Sequence, residues 1–303
     1  MNRREFLKQF SLYSAGSIMM APVFNIISPV FAKIDQPKLI VSNDTNYIDL
    51  VKKTLKPLGG ISAFVKKGDR VVVKPNIGWD RKPEQAADTH PLIVKTIVEL
   101  VLDAGASKVQ VFDRTCNSSR MCYTNSGIKQ AVDSINDRRA VCEFIDDRKF
   151  IPVKIQKGKA LKEWSFYKDA LAADCYINVP IAKHHRLAGL TLGLKNVMGV
   201  IGGERGRIHT NMGQYLADLC TVLKPDLTVI DATRILLQNG PQGGKLSDVK
   251  ILNTLIATTD PVAADAFAAT LFGKKPEDIE STIAAYKMGL GEMNLNKMNI
   301  LNV

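Results

Sequence analysis

The chain has 303 residues, 46% hydrophobic and 23% charged, with 21 Gly and 13 Pro, proportions that exclude disordered, collagen-like and coiled-coil classes. Its 41 Lys and Arg against 30 Asp and Glu leave a formal charge of +11. Cations stand beside acids, as in Asp137-Arg138-Arg139 and Asp146-Asp147-Arg148-Lys149, with no run of five or six like charges. Nucleic acid is therefore not an expected partner; an anionic small molecule or an anionic membrane surface suits the balance better.

In chain order, residues 1–32 read as an address. Asn2-Arg3-Arg4-Glu5-Phe6-Leu7-Lys8 is a paired-arginine n-region, followed by an apolar stretch from Phe10 to Phe31. Ser11, Ser14, Ser17, Asn25 and Ser28 make that stretch a poor membrane span. The pattern resembles a twin-arginine (Tat) export signal ending at Val30-Phe31-Ala32. Cleavage after Ala32, the Tat machinery as partner and a periplasmic location are the expectations. An ordinary Sec signal or a retained anchor is the alternative. The Tat route carries folded proteins, often with a cofactor already inserted.

From residue 33 onward, short apolar β-branched runs alternate with amphipathic stretches, which argues an α/β fold. Strands are expected at Leu39–Ser42, Arg70–Lys74, Lys108–Asp113, Val141–Ile145, Cys175–Val179, Leu227–Asp231 and Lys250–Thr258. Helices are expected at Tyr47–Leu58, Pro91–Ala104, Thr191–Val200, Asn211–Val222, Val262–Leu271 and Pro276–Lys287. Pro91, Pro261 and Pro276 sit where a first helical turn accepts proline. Gly105 ends the second helix. Asp146–Asp169, mixed in charge and weak in periodicity, reads as a linker or insertion. The expectation is one domain over 33–303: a mostly parallel or mixed central sheet with helices on both faces and an elaborated middle.

Five cysteines, with no Cys-x-x-Cys, encode neither a zinc ribbon, a thioredoxin motif nor an iron–sulfur cluster. A Cys116–Cys122 bridge stays open after export. Cys142, Cys175 and Cys220 lie in apolar segments and read as buried inert thiols.

In open α/β sheets ligands gather at the carboxyl ends of strands. Here those exits are polar: Lys74-Pro75-Asn76, then Asp113-Arg114-Thr115-Cys116-Asn117, then Asn178-Val179-Pro180 with Lys183-His184-His185, then Asp231 and Asp260. Each also suits a cap or turn; five together suggest a shared polar site. His90, His184, His185 and His209 all fall in candidate loops, where a histidine serves as ligand, base or packing residue. In Gly189–Arg207, glycines at 193 and 199 call for close packing, and Gly202, Gly203 and Gly206 with Arg205 and Arg207 form a cationic loop suited to an anion. A solvated surface hairpin explains that loop equally. Gly240-Pro241-Gln242-Gly243-Gly244-Lys245-Leu246-Ser247 is too short by one for a Walker A loop, and no Gly-x-Ser-x-Gly or Gly-x-Gly-x-x-Gly occurs.

Six motifs then agree in order with a known family. They are Val71-Val72-Val73-Lys74-Pro75-Asn76; Thr89-His90-Pro91; Gly105-Ala106 with Val109 to Asp113; Asn178-Val179-Pro180 with Lys183-His184; Thr191-Leu192-Gly193-Leu194-Lys195-Asn196 with Gly199; and Asp260-Pro261 with Asp265. The chain resembles the domain of unknown function 362 family over about 70–270. The resemblance implies the α/β core and is compatible with a Tat signal. Other members carry ferredoxin-type modules, whose cysteines are missing from this sequence.

The leading expectation is a periplasmic enzyme or cofactor-dependent redox accessory protein acting on an anionic small molecule. A divalent metal ion held by His90, Asp113, His184 and His209 is the first cofactor expected. Lys74, Lys183, Lys195 and Cys116 are the candidate catalytic groups, and Asn76, Asn196, Arg205 and Arg207 the candidate substrate-binding ones. A non-catalytic anion-binding protein, or a docking partner of a membrane redox complex, is the alternative.

Overall fold

The computed structural model describes residues 38–303, so the export signal expected over residues 1–32 lies outside the described residues. The chain begins with β1 (Lys38–Asn43), α1 (Tyr47–Leu55), β2 (Arg70–Pro75), α2 (Pro91–Asp103) and β3 (Lys108–Val111). Local chemistry sets these boundaries. The Asn46 side chain accepts from the Ile48 and Asp49 amides to start α1, and Pro91 fills the first turn of α2. Gly105, at φ +92°, takes the left-handed position that turns the chain out of α2 into β3.

Next come α3 (Ser119–Asn125), α4 (Ile128–Asp133), β4 (Ala140–Cys142), β5 (Phe150–Lys154), β6 (Glu163–Tyr167), α5 (Lys168–Leu171), β7 (Cys175–Val179), β8 (Ile181–His185) and β9 (Gly189–Thr191). The chain finishes with α6 (Met212–Cys220), β10 (Leu227–Leu236), β11 (Val249–Thr258), α7 (Pro261–Thr270), α8 (Glu280–Lys287) and β12 (Asn299–Asn302).

The main sheet runs β12-β1-β11-β10-β7-β2-β3-β4, with β8 on β10 and β9 on β8. It is mixed, as expected. β10, β7, β2, β3 and β4 form a parallel block, while β11 is antiparallel to both β1 and β10. Alternation along β2 shows why helices cover both faces. Val71 and Val73 pack with Ile93 and Ile97 of α2, whereas Val72 packs with Leu216 and Leu219 of α6 on the other side. Each such valine contributes about 1.5–3 kcal/mol by leaving water.

Three expectations change. The supposed linker is an ordered antiparallel hairpin, β5 on β6, closed by Phe112 and Phe150 edge-on to Tyr167; its charged outer residues hide the alternation. Thr191–Val200 is not one helix but the end of β9 and a 3-10 turn at Lys195–Val200. The carbonyl of Gly193 takes the Asn178 side-chain amide, and the Gly193 and Leu194 amides go to the Asp265 carboxylate, so side chains replace the helical ladder. The residues after Pro180 form strand β8 rather than a loop. All five cysteines are free, and Cys116 is exposed while Cys122 is buried, so the bridge left open by spacing is not formed. Among the described residues no helix is long and apolar enough to cross a membrane.

Candidate active site

Because β2, β3 and β7 run parallel, their carboxyl ends share one edge of the sheet. A cavity of about 540 Å³ opens there, lined from β2 by Lys74 and Asn76, from the β3 exit by Asp113 to Cys116, and from β8 by Lys183 and His185. Thr191, Lys195, Asn196, Gly199, Arg205 and His209 close it from the glycine-rich segment. Its lining carries six cations, Lys74, Lys183, Lys195, Arg114, Arg186 and Arg205, against a single carboxylate, Asp113.

One wall is a closed polar network. The Lys74 amine meets Asp113 at 2.8 Å with both side chains buried, and donates to Asn196 Oδ1 at 2.7 Å. Asn196 in turn donates to the Lys74 carbonyl and to Asn178 Oδ1, and Asp113 also accepts from the Ile77 amide. Burial pulls the Lys74 amine below the usual lysine range, against the opposing attraction of Asp113. Gly199 seals this pair, since a Cβ there would overlap the Asp113 carboxylate and the Lys74 amine. Lys74 is thus a partnered cation, and losing its partner is expected to cost about 3–5 kcal/mol.

Lys183 donates to the Ala87 carbonyl and to Asn76 Oδ1. Burial lowers it to about 8, with Asp88 pulling the other way. Asp88 accepts from the Trp79 amide and is pushed up to about 7 by burial. Lys195 is different. Its amine reaches only the Met198 thioether, at 3.3 Å, a weak acceptor; burial, then Lys183, lowers it to about 8. Thr191 presents a buried hydroxyl with no partner.

The histidines separate by which ring nitrogen is engaged. His90 Nδ1 accepts from the Leu92 amide as the cap of α2, and His184 Nδ1 accepts from the Gly240 amide. His185 Nδ1 accepts from Leu187 and Ala188. Each of these three rings therefore has its Nδ1 lone pair engaged by a backbone amide. His209 is the reverse: Nδ1–H donates to the Gly206 carbonyl, leaving Nε2 bare. Burial, then Lys195, lowers His185 to about 3, and the same two causes lower His209. Their rings stack 5.9 Å apart.

The expected metal set is divided: Asp113 and His209 line the cavity, while His90 and His184 do not. His90 packs edge-on to Tyr47 at the head of α2, and Asp113 is held by Lys74. On β8 successive side chains alternate faces, so Lys183 and His185 line the cavity while His184 does not. Among the described residues no group of three His, Cys, Asp or Glu is placed to hold a metal ion. Lys74, Lys183, Lys195, Cys116, Asn76, Asn196 and Arg205 do come together around the cavity. Arg205 straps it, donating to the Arg114, Met198 and Thr115 carbonyls. Arg207 lies outside, 5.9 Å over the Trp164 ring. Asp260 caps α7, accepting from Val262 and Ala263, whereas Asp231 lies within β10 rather than at its exit and accepts from the His90 amide. Arg114, His185 and Thr191 stand in segments that the sequence singles out but are given no site role there, and Arg186 stands in none; the period-2 pairing of 183 with 185 is the available signal for His185.

Fold and cavity define an α/β protein with a small cation-lined pocket at the carboxyl edge of a mixed sheet. Residues 71–270 match the family described as Domain of unknown function (DUF362), and the chain belongs to that family. The thylakoid-associated protein sll1697 of Synechocystis sp. is 29% identical over 248 residues, covering 79% of this chain and 74% of that protein. The lactate racemase apoprotein from Thermoanaerobacterium thermosaccharolyticum is similar in structure, with TM-score 0.50 and 13% identity over 77% of this chain. A Thermotoga maritima protein gives TM-score 0.48 and 13% identity over 75% of this chain. This chain spans 56% and 59% of those two solved chains, and the racemase likeness is one of fold.

Proposed function

We propose that this protein is exported by the twin-arginine route and acts in the periplasm as an enzyme on a small organic carboxylate held in the lysine cavity. The carrying observation is six cations against one carboxylate around about 540 Å³, with that carboxylate already committed to Lys74. Such an excess of positive charge, with Lys74 and Lys183 buried and Lys195 half-buried, favours an anion, because ligand oxygens replace the hydrogen bonds to water that burial removed. Lys183 and Lys195 hold the carboxylate, and the bare Nε2 of His209 exchanges a proton with the bound molecule.

Thermal unfolding of the mature chain with added lactate tests this. A saturable rise is expected, worth about 1.4 kcal/mol at tenfold over the dissociation constant. It should be lost in a Lys183→Met/Lys195→Met double variant; an equal rise in that variant overturns the reading. Export is tested separately: Arg3→Lys/Arg4→Lys should keep the protein in the cytoplasm.

A second reading, docking at a membrane, draws on the name of the Synechocystis relative and on the +11 balance. Salt-sensitive co-sedimentation of the mature chain with anionic vesicles would favour it.

A further inference from the structure

The three amines of the cavity are not equivalent. Lys74 is ion-paired, and Lys183 is tied to a backbone carbonyl and an amide oxygen. Among the described residues Lys195, facing a thioether, is the one of the three with no oxygen to hold its proton. Its backbone is fixed from behind: the Asp265 carboxylate takes the Gly193 and Leu194 amides, and the Asn196 amide returns to the Leu192 and Gly193 carbonyls. Around that amine the cavity offers the bare Nε2 of His209 and the unpartnered, 4% exposed hydroxyl of Thr191.

We propose that Lys195 is a nucleophile that condenses with the carbonyl group of a 2-oxo or aldehydic acid bound in this cavity, forming an imine and releasing water. The inference rests on the anion-cavity reading and adds the substrate class. The Nζ lone pair attacks the carbonyl carbon; the C–N bond forms as the carbonyl π pair moves to oxygen, which takes a proton. His209 Nε2 carries one proton from the attacking nitrogen to that oxygen, giving the neutral carbinolamine, and then carries the second nitrogen proton to the departing hydroxyl, so water leaves and C=N remains. No oxidant or reductant is consumed. Thr191 is available to hold the carbinolamine oxygen, and Lys183 the carboxylate. At pH 7.5 an amine lowered to about 8 is roughly a quarter free base, against about 0.1% for an exposed lysine near 10.4.

The experiment treats the mature protein with pyruvate and cyanoborohydride at pH 7.5 and maps the modified lysines by mass spectrometry. Lys195 should gain one pyruvic acid less one oxygen, on the order of a hundredfold faster than exposed Lys52 and Lys53. Its labelling rate should rise with pH through about 8. Excess lactate should protect it. Lys195→Arg, which keeps the charge but supplies no free amine at this pH, should abolish the fast adduct. Labelling shared evenly among surface lysines, or centred on Lys183, overturns the proposal. Lactate stabilisation without a Lys195 adduct removes the imine and leaves the anion site standing; loss of both removes the two together.

Discussion

Two walls of one cavity use buried cations in opposite ways. At the exits of β2 and β3, Lys74 is locked to Asp113 and Asn196 beneath Gly199, and the network answers its own hydrogen-bonding needs. On the glycine-rich wall, Lys195 faces a thioether, Thr191 has no partner and His209 turns a bare nitrogen outward. The contrast teaches that burial alone does not mark a functional lysine. In the proposed reading, the ion-paired amine of Lys74 is scaffold, and the amines without a paired carboxylate, Lys183 and Lys195, are kept for a ligand.

The largest effect that sharpens this contrast should come from Asp113→Ala. It leaves the Lys74 charge buried without its partner, and denaturant unfolding should show a loss of about 3–5 kcal/mol. A loss under about 1 kcal/mol would place Lys74 with Lys195 rather than opposite it. Gly199→Ala follows at about 1–3 kcal/mol, since the new methyl must push the pair apart. Lys195→Met should leave stability within about 1 kcal/mol, or raise it, because no partner is orphaned; lactate stabilisation should nonetheless fall.

Acid and alkaline limbs separate the groups further. Asp265 is held up at about 7 by burial, above its unfolded value near 3.9. Its contribution is therefore full below about pH 4 and declines as pH rises through 7. Lys195 runs the other way: lowered to about 8 when folded and near 10.4 unfolded, it makes stability climb between those values, where the unfolded chain binds more protons. Melting curves across pH should show both limbs, with Asp265→Asn reducing the first, which Asp88 shares, and Lys195→Met reducing the second, which Lys183 shares. The smallest effect expected is His90→Ala, which removes a helix cap worth about 1 kcal/mol and leaves lactate binding unchanged.

Much of the sheet was legible because its parallel strands are buried on both faces and read as apolar runs, as Val71-Val72-Val73 does. The convergence of Lys74, Asp113, Lys183, Lys195 and Asn196 was legible too, since parallel strands deliver their carboxyl ends to one edge. The histidines were not. Whether Nδ1 caps a backbone amide, as in His90 and His184, or donates to a carbonyl, as in His209, depends on neighbours such as Gly240 that are distant along the chain. The hairpin was hidden for a related reason: its aromatics find partners in Phe112 rather than locally. Glycines 193 and 199 suggested a closely packed helix, but the packing partner of each is a carboxylate from another element, which breaks the helix instead.

Calorimetric titration of the chain from residue 33 onward with lactate at pH 8, in two buffers of different ionisation enthalpy, tests the central claim most directly. Lactate does not titrate there, while Lys183 and Lys195 stand near half-protonation. Binding should draw up to about one proton from solution, and the Lys183→Met/Lys195→Met chain none. Binding with the same enthalpy in both buffers, or undiminished in the double variant, would contradict a cavity that holds its ligand by these two amines.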